Sequence, residues 1–428
     1  MNYTNVRRVA IVSANRIPFA RSNSAYAKQS NKAMLIATLR GLVEKNNLQG
    51  DLLGEVVGGA VMKHARDWNM VRECVLSSGL SPYTPAYDVQ QACGTGLEAA
   101  ILVANKIALG QIDAGIACGV DTTSDAPIAV NPRLQRALMD LNGAKTRGAK
   151  LSAGLRALNP GNLKPELPAN KEPRTRLSMG QHAERTAQHW GITRQAQDAL
   201  ALASHQNLAK AYDAGFFADL VMPFKGLQRD NNLRPDSTLE KLGKLSPAFD
   251  RKGGTITAAN ASPLTDGASA VLLATEEWAR ARNLPVMAYF SYAETAAVDF
   301  LEESREGLLM APAYAIPRML QKANLKLQDF DFYEIHEAFA AVVLCTMAAW
   351  ESERFCVDKL GLPGALGSID RTRLNVVGSS IAAGHPFAAT GGRVVGTLAK
   401  LLEQKGSGRG LISICAAGGQ GVTAILER

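Results

Sequence analysis

VQQACGTGLEAAILVANKIALG, residues 89–110, places a cysteine among small residues and follows it with an almost wholly apolar run. Leu97, Ala100, Ile101 and Ala104 recur at helical spacing, which predicts a buried helix over 94–110. The N-terminal end of a helix presents free N–H groups and a partial positive charge, which favour a thiolate at Cys93. Taken alone, Cys93 fits a nucleophile and a small buried apolar side chain equally well.

The surrounding sequence alternates short apolar strands with amphipathic helices. Strands are predicted at 7–14 (RRVAIVSA), 55–61 (EVVGGAV) and 114–120 (AGIACGV), and a helix at 31–48. A long helical pattern covers 179–214, and the α/β pattern resumes at 254–275 and continues to the end. This order predicts a layered α/β body with a basic, partly helical insertion.

A weak internal repeat connects the two halves of the chain. Cys93 is followed by a glycine, a helix, a turn and the strand IACGV, and His385 is followed by the same series ending in LISICAAGG. The repeat predicts two similar halves whose central helices have facing N-termini.

Length and composition limit the class of protein. A chain of 428 residues is expected to form two or three lobes. No apolar run reaches the roughly 18 residues that span a bilayer, and the N-terminus has no secretory pattern. Six cysteines without a CxxC pair predict reduced thiols and no structural zinc site. We therefore expect a cytoplasmic protein.

The net charge of +8 is concentrated in one segment, residues 133–176. Its cations are Arg133, Arg136, Lys145, Arg147, Lys150, Arg156, Lys164, Lys171, Arg174 and Arg176, opposed by Asp140, Glu166 and Glu172. This excess indicates an anionic partner or a solvated face, and the lack of aromatic residues disfavours nucleic acid. The amphipathic part, 133–158, suits a membrane surface, a partner subunit or a wall of the site.

The segment NVVGSSIAAGHPFAATGGR, residues 375–393, contains His385 between Gly384 and Pro386. Pro386 suits the first turn of a helix, so His385 is predicted there. The small neighbouring residues indicate a loop shaped around a ligand, and His385 is then a candidate base for a thiol. A phosphate loop is disfavoured, because neither a Walker lysine nor GxGxxG is present.

Two further segments end strands with reactive side chains. CAAGGQG, residues 415–421, begins with Cys415, so one thiol can carry an acyl group while the other moves a proton. The backbone N–H groups after Cys415 are candidate oxyanion donors. YEIHEAFAA, residues 333–341, places His336 at a strand-to-helix junction, with Glu337 in the first helical turn. His336 is either a helix cap or a site residue.

Together and in this order, these segments resemble the thiolase family over essentially the whole chain. NRIPFAR (15–21), NASPLTDGASA (260–270), GHPFAATG (384–391) and CAAGGQG match its motifs. HEAFA (336–340) has His where many thiolases have Asn, and about twenty extra residues, 351–370, precede the NVVG loop. Both features resemble the thiolases of the trifunctional fatty-acid β-oxidation type.

The resemblance implies a role for each site residue. Cys93 forms the acyl-thioester, His385 activates it and contributes to an oxyanion hole, and Cys415 is the general acid and base. His336 replaces the Asn that holds an oxyanion-hole water, and either keeps that water or contacts the carbonyl itself. The backbone N–H groups of Cys93 and Ala417 form the second oxyanion hole. Coenzyme A contacts map to Met179, Ala258, Ser262 and Phe339.

The same resemblance implies a fold and an activity. The fold has two similar βα halves in α-β-α-β-α layers, with residues 1–121 and 249–276 in one half and 277–428 in the other. A loop domain, 122–248, covers the site and binds the phosphates of coenzyme A. The activity is thiolysis of a 3-ketoacyl-CoA to acetyl-CoA and a shortened acyl-CoA, with coenzyme A as a substrate and no metal or other cofactor.

Two other enzyme activities and one binding function stay open. An acetyl-CoA acetyltransferase specific for acetoacetyl-CoA would use the same mechanism, and a carrier-protein-dependent ketoacyl synthase would lack a residue like Cys415. A non-catalytic lipid-binding or scaffold relative would need none of Cys93, His385 and Cys415. The expected partners are CoA thioesters and further copies of the chain in a homodimer or homotetramer. The hydratase/dehydrogenase chain of a β-oxidation complex and a membrane surface are further candidate partners.

Overall fold

The structure is a computed structural model that describes residues 6–301 and 307–428. Its strands are β1 (Val9–Arg16), β2 (Ala20–Arg21), β3 (Glu55–Gly58), β4 (Ala86–Asp88), β5 (Ala114–Asp121), β6 (Ala129–Val130), β7 (Pro165–Glu166), β8 (Thr265–Ala274), β9 (Ala288–Ala297), β10 (Phe332–Ile335), β11 (Arg409–Ala416) and β12 (Gln420–Glu427).

Helices follow most of these strands, and they predominate between β5 and β8 and between β10 and β11. They are α1 (Asn31–Lys45), α2 (Met70–Leu76), α3 (Thr95–Ala108), α4 (Pro132–Gly143), α5 (Arg147–Ala157), α6 (Met179–His189), α7 (Arg194–Asp213), α8 (Leu239–Gly243), α9 (Glu276–Arg280), α10 (Pro312–Ala323), α11 (Ala340–Glu351), α12 (Glu353–Leu360), α13 (Ser380–Ala383) and α14 (Ala389–Lys405). Short 3₁₀ turns lie at Ala65–Asp67, Pro160–Asn162 and Arg371–Arg373.

The main sheet contains the same strand arrangement twice. Its order is β10-β11-β12-β9-β1-β8-β5-β3-β4, and β1 pairs with β9 where the two halves meet. In one half β3 is parallel to β5, and β8 is antiparallel to both β5 and β1. In the other half β10 is parallel to β11, and β12 is antiparallel to both β11 and β9. The predicted repeat is therefore present in the fold.

Five layers follow from which faces of the sheet are covered. Both half-sheets place apolar side chains against α3 and α14, so that these two helices lie in the centre of the largest core cluster. The opposite face of the first half packs on α1 and α2, and that of the second half on α10 and α11. The predicted α/β class with α-β-α-β-α layers is confirmed.

The two central helices touch near their N-terminal ends through glycines. A Cβ at Gly96 would lie 2.4 Å from the carbonyl oxygen of Ala388, and one at Gly391 would lie 2.1 Å from the backbone nitrogen of Leu97. Only glycine allows backbones to approach this closely. The contact brings the start of α3 next to the start of α14, and therefore Cys93 next to the loop that holds His385.

The helical pattern over 179–214 is confirmed with one interruption, and two other local predictions were wrong. The pattern over 179–214 forms two helices, α6 and α7, separated by Gly191 at φ +63° and by Thr193, which caps α7. His385 does not lie in the first turn of a helix, because α13 ends at Ala383 and α14 begins at Ala389. Glu337 precedes α11 by a short link.

The basic segment contains the helical hairpin α4–α5. Among the described residues of the two helices, only the side chains of Ala137, Ala153 and Ala157 are buried. Large apolar side chains are exposed along the hairpin and its flanks: Ile128, Val130, Leu138, Met139, Leu151, Leu155, Leu158, Leu163 and Leu167. Within the described ranges, no helix is long and apolar enough to cross a membrane.

Candidate active site

Cys93 lies at the entrance to the central helix α3. Ala92 adopts φ +46°, a conformation that costs free energy for a residue with a Cβ, and it turns the chain sharply before the cysteine. Gly94 is the N-cap of α3. The predicted location of Cys93 at the start of a buried helix is therefore what the structure shows.

His385 faces Cys93 from the other half of the molecule. Its Nε2 lies 3.1 Å from Cys93 Sγ, although the two residues are 292 positions apart in sequence. Its Nδ1 lies 2.6 Å from Thr390 Oγ1, and its backbone N–H donates to Thr265 Oγ1 at 2.8 Å. The imidazole is thus fixed on two sides while one nitrogen faces the thiol, the geometry that a base for a nucleophile requires.

His336 follows strand β10 and stacks near His385, with ring centroids 4.1 Å apart. Its backbone N–H donates to the carbonyl of Ser413 at 2.8 Å, and its Nδ1 lies 2.7 Å from Ser380 Oγ. His336 is 1% exposed. The position is consistent with a site residue, and the ring forms no helix cap.

Cys415 ends β11 and is buried in a cluster that also contains Phe339 and Met179. Burial is the main cause that raises the pKa of the Cys415 thiol, and the nearby Cys93 sulfur raises it further. The backbone N–H of Ala417 interacts with the Cys93 sulfur. The first and last thirds of the chain therefore bring both thiols and one backbone donor together.

Burial determines the charge state of the reactive pair. The pKa of the Cys93 thiol rises to about 12 because burial outweighs the lowering effect of the N–H groups of Ala417 and Cys93. Burial, helped by the Arg393 guanidinium, lowers the pKa of His385 to about 3. Cys93 and His385 are accordingly both neutral near pH 7, and the helix N-terminus alone does not produce a thiolate.

The four residues matched to coenzyme A contacts lie in two groups. Met179 begins α6 and shares the Cys415 cluster with Phe339, whose ring meets Phe249 edge-on at 5.9 Å. Ser262 donates through both its backbone N–H and its hydroxyl to the carbonyl of Ala338, and Ala258 is exposed. Ala261 also pairs with Phe339, so Ser262 lies close to Phe339.

Sequence reasoning missed several residues that position the site. Arg393 is 4% exposed and donates to Ser379 Oγ and Ser380 Oγ. Asp121 accepts hydrogen bonds from the backbone N–H groups of Val61, Met62 and Ala388, which fixes the segment after His385. The sequence did contain a signal for Arg393, because it is a single charged residue among the small and apolar residues that begin α14.

Cys93, His336 and His385 also form the one candidate metal cluster found in the described residues. One donor atom from each lies within 4.8 Å of the other two. Cysteine sulfur and imidazole nitrogen are ligands that zinc accepts. The trio is therefore the set of residues that could hold a metal ion, and it coincides with the reactive thiol and its base.

A repeated α-β-α-β-α fold whose central helices join a cysteine to a histidine, with a second cysteine opposite, defines a class of enzymes. A thiol next to a histidine base is the arrangement that such enzymes use for nucleophilic, covalent catalysis. Comparison with known proteins gives the family within this class. Residues 9–277 match the model of the thiolase N-terminal domain, and residues 284–428 match that of the thiolase C-terminal domain. The chain belongs to the thiolase family.

Similar proteins cover the chain from end to end. It is 42% identical over 432 residues to a 3-ketoacyl-CoA thiolase of Shewanella sediminis, covering 99% of this chain and 98% of the relative. It is 43% identical to a 3-ketoacyl-CoA thiolase of Shewanella piezotolerans, with the same shares covered.

Solved structures agree with the sequence comparisons. The acetyl-CoA acetyltransferase of Bacillus anthracis superposes with a TM-score of 0.80 at 29% identity and covers 99% of each chain. Human mitochondrial 3-ketoacyl-CoA thiolase superposes with a TM-score of 0.79 at 27% identity, covering 98% of this chain and 99% of its own.

Proposed function

We propose that the chain is a 3-ketoacyl-CoA thiolase that cleaves its substrate with coenzyme A through an acyl-enzyme on Cys93. The observation that carries this proposal is the 3.1 Å contact between Cys93 Sγ and His385 Nε2 beside a second thiol, Cys415, which is buried. The family and the names of its similar proteins supply the substrate class.

In the first half-reaction, Nδ1–H of His385 donates to Thr390 Oγ1, and Nε2 accepts the proton of the Cys93 thiol. The sulfur attacks the 3-keto carbon, and the developing oxyanion is stabilised by the N–H groups of Cys93 and Ala417. The bond between carbons 2 and 3 then breaks, and its electron pair forms the enolate of acetyl-CoA. Cys415 protonates carbon 2, and acetyl-CoA leaves.

The second half-reaction restores the enzyme. The Cys415 thiolate removes the proton from the thiol of incoming coenzyme A, whose sulfur attacks the thioester carbonyl on Cys93. The carbon–sulfur bond to Cys93 breaks, the shortened acyl-CoA leaves, and Cys93 recovers its proton from His385. In the first half-reaction, while the enolate forms, the imidazole N–H groups of His385 and His336 donate hydrogen bonds to the oxygen of the substrate thioester.

Coenzyme A binding is assigned to the surface around Phe339. Met179, Ala258 and Ser262 are proposed to contact the pantetheine part, with Phe339 next to the thioester. The cations of the loop domain, residues 122–248, are proposed to bind its phosphates, because phosphates are attracted to a local positive excess. The resemblance supports these assignments.

Partners and location complete the proposal. The exposed apolar side chains of the α4–α5 hairpin support docking to the hydratase/dehydrogenase chain of a β-oxidation complex. Family resemblance supports a homodimer or homotetramer. All six cysteines are free thiols, which suits the reducing cytoplasm.

A thiolysis series over 3-ketoacyl-CoA substrates from four carbons upward tests the function. We expect turnover to extend beyond acetoacetyl-CoA and Cys93→Ala to lower kcat on the order of 10⁴-fold or more, since the covalent route is removed. Cys93→Ala should also fail to trap radiolabelled acetyl from acetyl-CoA. Cys74→Ala is the matched control, because Cys74 is a buried thiol in α2 and should leave trapping intact.

The second candidate is an acetyl-CoA acetyltransferase, favoured by the similarity to the Bacillus anthracis enzyme. A sharp preference for acetoacetyl-CoA in the same series would select it without changing the mechanism. Undiminished acetyl trapping by Cys93→Ala would instead contradict the acyl-enzyme itself.

A further inference from the structure

A buried chain of hydrogen bonds reaches His336 at its Nδ1 atom. Nη2 of Arg393 donates to Ser380 Oγ at 2.8 Å and to Ser379 Oγ at 3.2 Å. Ser380 Oγ lies 2.7 Å from His336 Nδ1. Arg393, Ser380 and His336 are 4%, 0% and 1% exposed, so bulk water does not compete for these contacts.

The direction of the Ser380–His336 hydrogen bond follows from counting protons. A guanidinium only donates, so Ser380 Oγ must accept from Arg393. The hydroxyl still has one proton, and among the described residues His336 Nδ1 is the one other group that Ser380 Oγ contacts. Ser380 therefore donates to Nδ1, and a neutral imidazole that accepts at Nδ1 carries its proton on Nε2.

The environment keeps His336 neutral. Burial is the main cause that lowers the pKa of His336 well below its usual value, and the nearby His385 and Arg393 lower it further. Nε2 of His336 is buried and has no hydrogen-bond partner among residues 6–301 and 307–428. One ring nitrogen of His336 lies within 4.8 Å of the Cys93 sulfur, and Nδ1 is already engaged with Ser380. The free N–H therefore faces the reaction space.

We propose that Ser380, oriented by Arg393, is a positioning residue that holds His336 as its Nε2–H tautomer, a direct hydrogen-bond donor to a substrate carbonyl. The identity of that carbonyl rests on the proposed thiolase function, whereas the tautomer does not. This row of hydrogen bonds begins at the Arg393 cation, so each member polarises the next toward the site.

The same hydrogen bonds from Arg393 through Ser380 to His336 disfavour a metal ion at Cys93, His336 and His385. A metal needs the lone pair of Nε2, and a metal-bound histidine ordinarily donates its other N–H to a carboxylate or carbonyl. Ser380 already accepts a hydrogen bond from Arg393 and donates one to Nδ1. Nδ1 is therefore an acceptor here, whereas in a metal-bound histidine it would be a donor. Coordination would require the hydroxyl proton to be redirected within a buried network.

The tautomer can be measured by ¹⁵N NMR on histidine-labelled protein, with His336→Asn used to assign the His336 signals. We expect wild-type protein to show an unprotonated Nδ1 and a protonated Nε2 at residue 336. Ser380→Ala should produce a mixture of tautomers and lower kcat about tenfold or more with little change in KM, a smaller loss than the 10²–10³ for removing an oxyanion donor outright. Ser380→Thr, which keeps the hydroxyl, should restore both properties.

Ser379→Ala is the matched control, because Ser379 also accepts from Arg393 but does not contact His336. It should leave the tautomer and kcat close to wild type. A wild-type His336 protonated at Nδ1, or equal effects of Ser379→Ala and Ser380→Ala, would overturn the proposal. Absence of 3-ketoacyl-CoA cleavage by wild-type enzyme would overturn the proposed function instead, because the NMR result does not depend on turnover.

Discussion

At the scale of the residue, Cys93 shows two opposing influences on a thiol. Backbone N–H groups from Cys93 and Ala417 lower its pKa, and burial raises it by more. His385 is neutral for the same reason, since its pKa falls to about 3. Cys93 and His385 therefore form no ion pair at rest, and in the proposed mechanism the proton moves to Nε2 as the sulfur attacks.

Alkylation of Cys93 by iodoacetamide should therefore depend on pH. The thiolate reacts, and its fraction grows about tenfold per pH unit below the pKa, so the rate should keep rising from about pH 7 to about pH 9. His385→Ala should react more slowly near neutral pH because the proton acceptor is lost. Mass spectrometry of the peptide that contains Cys93 measures the rate.

Cys93→Ala is the control for the assignment, because its corresponding peptide should show no alkylation at position 93. A wild-type rate that is already level at about pH 7 would mean that a thiolate exists in the resting enzyme. An unchanged rate in His385→Ala would remove its role as activator.

At the scale of the element, the crossing of α3 and α14 places the reactive pair. The predicted span 94–110 is close to the observed Thr95–Ala108, because apolar periodicity is a local property. The crossing depends instead on Gly96 and Gly391, whose missing side chains let the two backbones meet. Either glycine, replaced by a residue with a Cβ, forces the helices apart.

Gly96→Ala should destabilise the protein by about 1–3 kcal/mol, because its Cβ would lie 2.4 Å from the carbonyl oxygen of Ala388. Gly154→Ala is the matched control within α5, where a Cβ would meet no atom within 4 Å. The control should be neutral or stabilising by up to about 1 kcal/mol. Midpoints of urea unfolding compare the two.

Enzymatic activity gives a second comparison between Gly96→Ala and Gly154→Ala. Gly96→Ala should lower thiolysis by more than its loss of stability explains, since Cys93 moves relative to His385. Equal unfolding midpoints for Gly96→Ala and Gly154→Ala would contradict the close backbone contact.

At the scale of the whole molecule, the α4–α5 hairpin exposes apolar side chains rather than burying them. Leu151 and Leu155 are 67% and 63% exposed, although their spacing predicts one apolar face. A face of this kind beside many cations is typical of an interaction surface.

Leu151→Ser combined with Leu155→Ser should weaken co-purification with the hydratase/dehydrogenase chain at least about tenfold. Thiolysis should stay within about twofold, because both side chains are mostly exposed to solvent. Leu239→Ser in α8 is the control, since Leu239 is 52% exposed outside the hairpin. Co-sedimentation with anionic vesicles that the double variant loses, without any effect on the protein partner, would assign the hairpin to a membrane surface instead.

The sequence by itself determined most of the elements and the repeat, and it singled out the candidate site residues. The motifs can be recognised because periodicity and motif spacing are properties of short stretches of sequence. They contain Cys93, His385, His336 and Cys415. Even here, the local prediction that His385 begins a helix was wrong, because loop geometry depends on what packs against it.

Only the tertiary structure decided how these residues meet and in which protonation state. The Cys93–His385 contact joins positions 292 apart, and the Arg393–Ser380–His336 chain joins α14, α13 and the end of β10. The physical reason is that burial, backbone approach and hydrogen-bond direction belong to the packed arrangement of distant segments. The raised pKa of Cys93 could not be predicted from its neighbours in sequence. The helix start that follows it favours a thiolate, whereas the burial that opposes the thiolate depends on the packed fold.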